Sequence, residues 1–325
     1  MCPDNITWRN KSCLPALSVH LVKSRKVIVR IKGGLGNQLF CYAAARRLSL
    51  VSNAELVIDD VTGFVRDRQY KRRYALDMFS ISARKATSWE RKEPFERYRR
   101  GIAKLIARRQ HFNGRRYIDQ EGTDFDPRLL TFRPDSSVYI DGLWQSEGYF
   151  KDVEGVIRKD LRINAPQDSA NRETSEKIRG CNSVGIHVRW YSNPDVSSRN
   201  FVQRNYYLRA VSHIIDRIPS PHFFLFSNDP KTSRTMLALP EEMITCIQHN
   251  IGDSNAYADL WLMSQCKHFI IADSTFSWWG AWLAKQVSKV VIAPEASLAG
   301  NTSWNFPGLI PDRWVIISPE AGECR

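Results

Sequence analysis

"KVIVRIKGGLGNQLFCYAAARRLSLVSNAELVID", Lys26 to Asp59, decides the fold. Its opening run, "KVIVRI", is β-branched and apolar at successive positions, as in a strand covered on both faces. Glycines at 33, 34 and 36 break the run, and Asn37 to Ser52 then carry apolar residues at helical spacing. "AELVID" is a second strand pattern. Strand, helix and strand within roughly 35 residues form a βαβ unit, whose two strands run parallel.

The same rhythm continues outward. Strand patterns recur at "SVYID" (137–141), "SVGIHV" (183–188), "HFFLFS" (222–227), "MITCIQ" (243–248), "HFIIAD" (268–273) and "KVVIA" (289–293). Amphipathic helical patterns lie between them, notably "NYYLRAVSHIIDRI" and "AYADLWLMSQC". Apolar strands alternating with helices predict an α/β protein with parallel sheets. At 325 residues the chain suits two domains. The polar stretch "NAPQDSANRETSEKIRG", 164–180, is the candidate linker. The expectation is two doubly wound, Rossmann-like domains, residues 1–165 and 166–325, facing each other across a cleft.

The composition, 43% hydrophobic and 25% charged, excludes a disordered chain. A net charge of +13 predicts anionic partners: nucleic acid, an anionic membrane face or phosphorylated small molecules. No apolar stretch approaches the ~20 residues that span a bilayer, and the N-terminal residues carry no signal-peptide pattern. Seven cysteines lie scattered without CxxC spacing, which fits free thiols in a reducing compartment. N-x-S/T triplets at Asn5, Asn10 and Asn301 are read as chance, with a lumenal form as the alternative they keep open.

Residues 84–116 break the rhythm as a basic helical insertion, with twelve Lys/Arg against Glu90, Glu93 and Glu96. Within it Tyr98, Ile102, Leu105 and Ile106 fall on one helical stripe among arginines. Two readings follow: a basic amphipathic helix lying on an anionic membrane, or a solvated helix packed by that stripe onto its own domain.

Three strand ends carry the candidate site. In "RIKGGLGNQLF" the glycines free the backbone where a helix begins, and exposed amides there attract anions. Gly34 and Gly36 fit a dinucleotide fingerprint with Asp59 as its acid, but Leu39 holds the third glycine's place. A tight βα turn alone remains the structural alternative. "VGIHVRWYSNPD" puts His187 and Arg189 at a strand's carboxyl end, where an arginine offers a planar fork to phosphate. In "IIADSTFSWWGAWLA", Asp273 ends a strand while Ser274, Thr275, Phe276 and Ser277 open a helix whose hydroxyls and amides suit a phosphate. Trp278, Trp279 and Trp282 read as core filler. The pair Asp124-x-Asp126 has metal-binding spacing, but its setting, "TDFDP", reads as a turn.

Taken together these segments resemble the α-1,2-fucosyltransferases of glycosyltransferase family 11. "GGLGNQLFCYAAARRL" is similar to that family's GGLGNQLFQYA, and "YIDGLWQSEGYF" (139–150) to its WQSE segment. "HVRWYSNPD" stands where the family has HxRRGD, and "FFLFSND" where it has FSDD. "DLWLMSQCKHFIIADSTFSWWGAWLA" (259–284) resembles the family's DLxLMS…STFSWWGAWL block almost throughout. The likeness runs from about Lys26 to Ile316.

The resemblance implies a GT-B fold and metal-free, inverting transfer of L-fucose from GDP-β-L-fucose to the 2-hydroxyl of a galactose-terminated glycan. It gives the C-terminal domain to the donor and the N-terminal domain to the acceptor. It assigns Arg189 to the β-phosphate, His187 and Asn228 to the nucleotide and Asp259 to guanine. Ser274, Thr275, Phe276 and Ser277 would hold the diphosphate, with Gly34 and Gly36 facing the cleft and Asn37 near the sugar. Two departures stand out: Trp190 replaces the second arginine of HxRRGD, with Tyr191 and Ser192 after it, and Asp273 replaces an asparagine. Asp195 is the first candidate for the base; Asp141 and Glu147 are weaker ones. No cofactor or metal is expected. Without a spanning segment the expectation is a cytoplasmic enzyme, soluble or peripheral at the inner membrane face, and the basic stripe suggests an acceptor presented there, a lipid-linked oligosaccharide. The alternatives are another GDP-sugar transferase of the same superfamily with a different acceptor or linkage, a nucleic-acid-binding protein, and a nicotinamide enzyme. The basic residues lack the aromatic spacing of a base-stacking surface, which disfavours nucleic acid.

Overall fold

The structure is a computed structural model and describes residues 25–190, 204–295 and 308–318. The leading βαβ unit forms as expected: β1 (Lys26–Arg30), α1 (Leu35–Val51) and β2 (Glu55–Asp59). β1 and β2 pair in parallel, from Lys26 opposite Glu55 to Arg30 opposite Asp59. The first half adds β3 (Arg84–Lys85), α2 (Glu96–Arg108), β4 (Tyr117–Asp119), α3 (Arg128–Thr131), β5 (Val138–Asp141) and α4 (Glu154–Asp160). Its strands make a parallel sheet in the order β3-β2-β1-β5-β4.

The second half contains α5 (Ser169–Gly180), β6 (Asn182–Val188), α6 (Arg204–Ile215), β7 (Pro221–Ser227), α7 (Pro230–Leu237), β8 (Ile244–Cys246) and α8 (Ala256–Gln265). It closes with β9 (His268–Ile270), α9 (Thr275–Leu283), β10 (Val291–Pro294) and β11 (Val315–Ile317). These strands form a parallel sheet in the order β11-β10-β9-β6-β7-β8. Two doubly wound, Rossmann-like sheets facing a shared cleft make this an α/β protein of GT-B type.

Each sheet reverses its winding direction once, between β1 and β5 in the first and between β6 and β9 in the second. Crevices at the carboxyl ends of strands open at such switch points. The glycine loop leaves β1 there, His187 and Arg189 leave β6, and Ser274 follows β9. Topology alone therefore gathers the three sequence motifs.

The halves are joined by aromatic packing. Phe40 of α1 lies 4.6 Å from the Trp278 ring and 4.9 Å from Trp279. Phe150 stacks on Trp279 at 5.5 Å and meets Trp282 edge-on at 5.5 Å. All five side chains are buried, so the tryptophans read as core filler fill the core between the sheets. Removing one would cost about 3–5 kcal/mol.

Two expectations are corrected. The stretch taken as a linker is largely helix α5: the Asp168 carboxylate caps it by accepting from the Asn171 amide at 2.9 Å. α5 buries only Asn171, Ser175 and Ile178, a stripe too thin to read as apolar periodicity. α2 does form, but its apolar stripe is not what seats it. Ala103 and Ala107 pack against Tyr117 and Tyr139, while Tyr98, Ile102, Leu105 and Ile106 face outward.

Candidate functional site

A cleft of about 1670 Å³ lies between the halves. Gly34, Gly36, Asn37, His187, Arg189, Asn228, Asp259, Ser274, Thr275 and Phe276 all border it.

Its floor is made by two helix starts. Gly34 is the N-cap of α1 and Ser274 that of α9, and neither makes a side-chain cap. Both helices thus present first-turn amides that no side chain satisfies, each with the positive end of a helix dipole. The two starts touch. Thr275 Oγ1 donates to Asn37 Oδ1 at 3.1 Å, and Gln145 Nε2 donates to the same oxygen at 2.6 Å. With its carbonyl oxygen so occupied, Asn37 has donor capacity to offer a ligand.

Gln38 braces the opposite wall. Its amide donates to the Gly33 and Arg73 carbonyls at 3.0 and 2.8 Å and accepts from the Ala75 amide at 2.9 Å. This holds the loop "QYKRRY" over the cleft, so that Lys71, Arg72 and Arg73 line it. These cations were missed in the sequence, where they stand far from the glycine loop with which they line the cleft.

His187 is the next-to-last residue of β6, with its ring 5.4 Å from Phe276. Burial, aided by the Arg189 charge, pushes its pKa down to about 3. It is a neutral ring at any working pH, and its Nδ1 is buried without a hydrogen-bond partner. The Tyr207 hydroxyl donates to the His187 carbonyl at 3.0 Å and fixes the strand end that carries Arg189. Asp273 borders the same cleft as Arg189.

Asn228 is engaged with the protein itself: its amide donates to the Trp190 carbonyl at 2.8 Å and accepts from the Trp190 amide at 2.9 Å. Trp190 turns back toward its own domain, its indole N–H donating to Ser233 Oγ at 2.8 Å. The residue that replaces the family's second arginine therefore serves packing. Ser277 is fully buried and points away from the cleft; its hydroxyl accepts from the Ala272 amide at 3.3 Å and donates to the Ser274 carbonyl at 3.1 Å. It shapes the turn that exposes Ser274 and Thr275.

Asp259 opens toward the cleft from the first turn of α8. Burial pushes its pKa up to about 6, against a hydrogen bond from Asn250 Nδ2 at 2.9 Å that lowers it. Asn250 is held in turn by two amide bonds to Asn171, at 2.8 and 2.9 Å.

The remaining acids have structural duties. Asp141 accepts from Lys32 at 2.8 Å and Tyr117 at 3.0 Å; burial opposes its charge, but Lys32 and Arg30 hold its pKa down at about 2. Glu147 is gripped by Arg313 at 2.6 and 2.7 Å and by the Trp282 indole at 3.1 Å. Neither borders the cleft. Asp126 is bound by Arg128 at 2.8 Å, in the turn expected there. Asp195 lies outside the described residues. No group of three or more His, Cys, Asp or Glu side chains that could hold a metal occurs among the described residues. None of their helices is long and apolar enough to cross a membrane.

Two parallel sheets meet at a cleft floored by helix starts, the arrangement of a GT-B fold. The chain belongs to glycosyl transferase family 11, whose model matches residues 26–303. It is 29% identical to an alpha-1,2-colitosyltransferase of Escherichia coli, over 90% of this chain and 98% of that protein. It is 28% identical to the O-antigen biosynthesis glycosyltransferase WbnK of Escherichia coli, over 88% and 99%. Among solved structures, fucosyltransferase NodZ from Bradyrhizobium is similar at 16% identity and a TM-score of 0.44, covering 79% of this chain and 92% of that one.

Proposed function

We propose that this protein transfers L-fucose from GDP-β-L-fucose to the 2-hydroxyl of a galactose in a glycan, with inversion and without a metal ion. The observation that carries this reading is the convergence of Arg189 with two uncapped helix starts on one cleft. When the sugar–phosphate bond breaks, charge grows on the departing β-phosphate. A fixed guanidinium and oriented amides stabilise that charge without reorganising, as preorganised donors do in other enzymes.

Asp259 supplies the base-reading end, since a carboxylate can accept from both N–H groups on guanine's hydrogen-bonding edge. Asn250 and Asn171 hold it in place. Asn37 stands between the halves, where a donor would meet the transferred sugar. Asp195 is the proposed base for the galactose hydroxyl, which must be attacked from the face opposite the leaving group. The acceptor in this reading is a galactose-terminated oligosaccharide carried on a lipid.

A second reading follows from one relative's name: that protein is an alpha-1,2-colitosyltransferase, so the sugar moved here would be a different deoxyhexose through the same linkage. One experiment separates the two. The protein is incubated with GDP-fucose or GDP-colitose and a panel of galactosides, with and without a chelator, and products are analysed for linkage. An α-1,2-fucosyl product that persists in chelator supports the first reading. Loss of turnover in chelator, or transfer from GDP-colitose alone, overturns it.

A further inference from the structure

α2 is strongly amphipathic, yet it is seated by the wrong face for a core helix. Ala103 and Ala107 touch the sheet, and Lys104 is drawn to Asp119 at 2.8 Å. At about 100° per residue, Tyr98, Ile102 and Leu105 lie on the opposite side of the cylinder. They are 72%, 58% and 63% exposed. Ile106 extends the stripe, and two residues ahead of the helix lengthen it: Phe95 is 71% exposed and Trp89 is 75% exposed. Single exposed apolar residues need no explanation, but a contiguous patch marks an interaction surface.

The surroundings name the partner. Arg97, Arg108 and Arg109 are exposed along the flanks of the stripe, and the Arg99 guanidinium lies over the Trp89 ring at 4.6 Å. Glu96 is the one acid within the helix, and it is drawn inward to Arg100 at 3.9 Å. A protein partner of neutral surface would leave these arginines without counter-charge. Anionic phospholipid headgroups supply it, while the acyl boundary takes the apolar stripe and the interface takes Trp89 and Tyr98.

We propose that the outward face of α2, with Trp89 and Phe95, docks this protein on an anionic phospholipid bilayer. The docking is independent of the donor, so a chain that transferred another sugar would bind membranes in the same way.

Flotation of the full chain with vesicles tests it, using phosphatidylcholine alone or mixed with phosphatidylglycerol. The wild type is expected to float with the mixed vesicles and to be released by salt. The Ile102→Ser/Leu105→Ser variant should partition about tenfold less, with unchanged thermal unfolding, because two buried apolar side chains are lost. Arg97→Glu/Arg109→Glu should abolish the preference for the anionic mixture. Equal recovery of the wild type in the soluble fraction with and without anionic vesicles overturns the proposal. So does serine-variant flotation equal to the wild type. A stripe-dependent dimer that never floats would assign the face to a second copy and would overturn it too. None of these readouts involves turnover, so they stand whatever the donor proves to be.

Discussion

Gly36 of α1 rests against Thr275 of α9, so closely that a Cβ built on the glycine would stand 2.4 Å from the Thr275 carbonyl carbon and 2.6 Å from its Oγ1. One residue from each half of the chain thus sets how near the two helix starts approach. The glycine is in an ordinary helical position, where alanine would by itself favour the helix by up to about 1 kcal/mol. The clash is with backbone and must win. Gly36→Ala is expected to destabilise the protein by about 1–3 kcal/mol in urea unfolding. It should also weaken GDP binding, because the cleft floor is forced apart.

Arg189 is the charged side chain that the leaving phosphate needs most in the proposed reaction. Arg189→Ala should lower kcat on the order of 10²–10³, the cost of losing one preorganised donor elsewhere. Arg189→Lys should recover only part of it, since an ammonium cannot present the planar fork. Steady-state rates with GDP-fucose and a galactoside check both; an alanine variant within about threefold of wild type would remove Arg189 from the chemistry.

How much of this was legible depended on the length of the signal. β1, α1, β2 and the strands leading to His187 and Ser274 each carried five or more patterned residues, and the structure has them. β8 and β9 are three residues long but sit inside longer apolar runs that gave them away, whereas β3 and β4, of two and three residues, and β11, of three, went unread. α5 was hidden by its polarity. At the site, strand-end motifs pointed to the cleft, but Ser277 and Asn228 looked like their neighbours in sequence and differ only in which way they turn. Gln145 and Arg72 were unreadable as site residues, since they reach the cleft from loops placed by tertiary contacts. The outward stripe of α2 is the sharpest case: periodicity fixes which residues share a face, not which face meets the sheet.

Glu147 and Arg313 should behave as a clasp between the halves. Arg313 is about half exposed, which screens the pair, while Glu147 is buried. Burial works against the Glu147 charge, but Arg313 outweighs it and holds the carboxyl below its usual range. A lowered folded pKa contributes stability above the unfolded value and loses it as pH falls through the folded one. Arg313→Ala is therefore expected to cost about 1–3 kcal/mol near neutral pH, by leaving a buried carboxylate with only the Trp282 indole at 3.1 Å and the exposed Lys151 ammonium at 4.0 Å. The difference from wild type should shrink as pH falls through the lowered Glu147 pKa and the carboxylate is protonated. Urea unfolding at pH 7 and in that acidic range tests it, and a gap that stays constant would show that the clasp is not electrostatic.

Asp259 gives the opposite sign. Burial raises its pKa to about 6, so ionising it costs the empty protein stability, a cost absent below its unfolded pKa and complete above about pH 6. Guanine reverses the balance, because only the carboxylate accepts from both of its N–H groups. GDP-fucose affinity should then be level above about pH 7 and fall by about tenfold per pH unit well below 6, as protons compete with the ligand. The sugar nucleotide is the right probe, since both its phosphates are esterified and neither titrates in this range, whereas free GDP would add a proton of its own. His187 does not interfere, being neutral down to about pH 3. Asp259→Asn should bind weakly at every pH, with a flat profile, and should melt higher than wild type at pH 7 in the absence of ligand. Calorimetric titration from pH 5 to 8 and thermal melts of both proteins decide it. A wild-type profile as flat as the variant's would take guanine recognition away from Asp259.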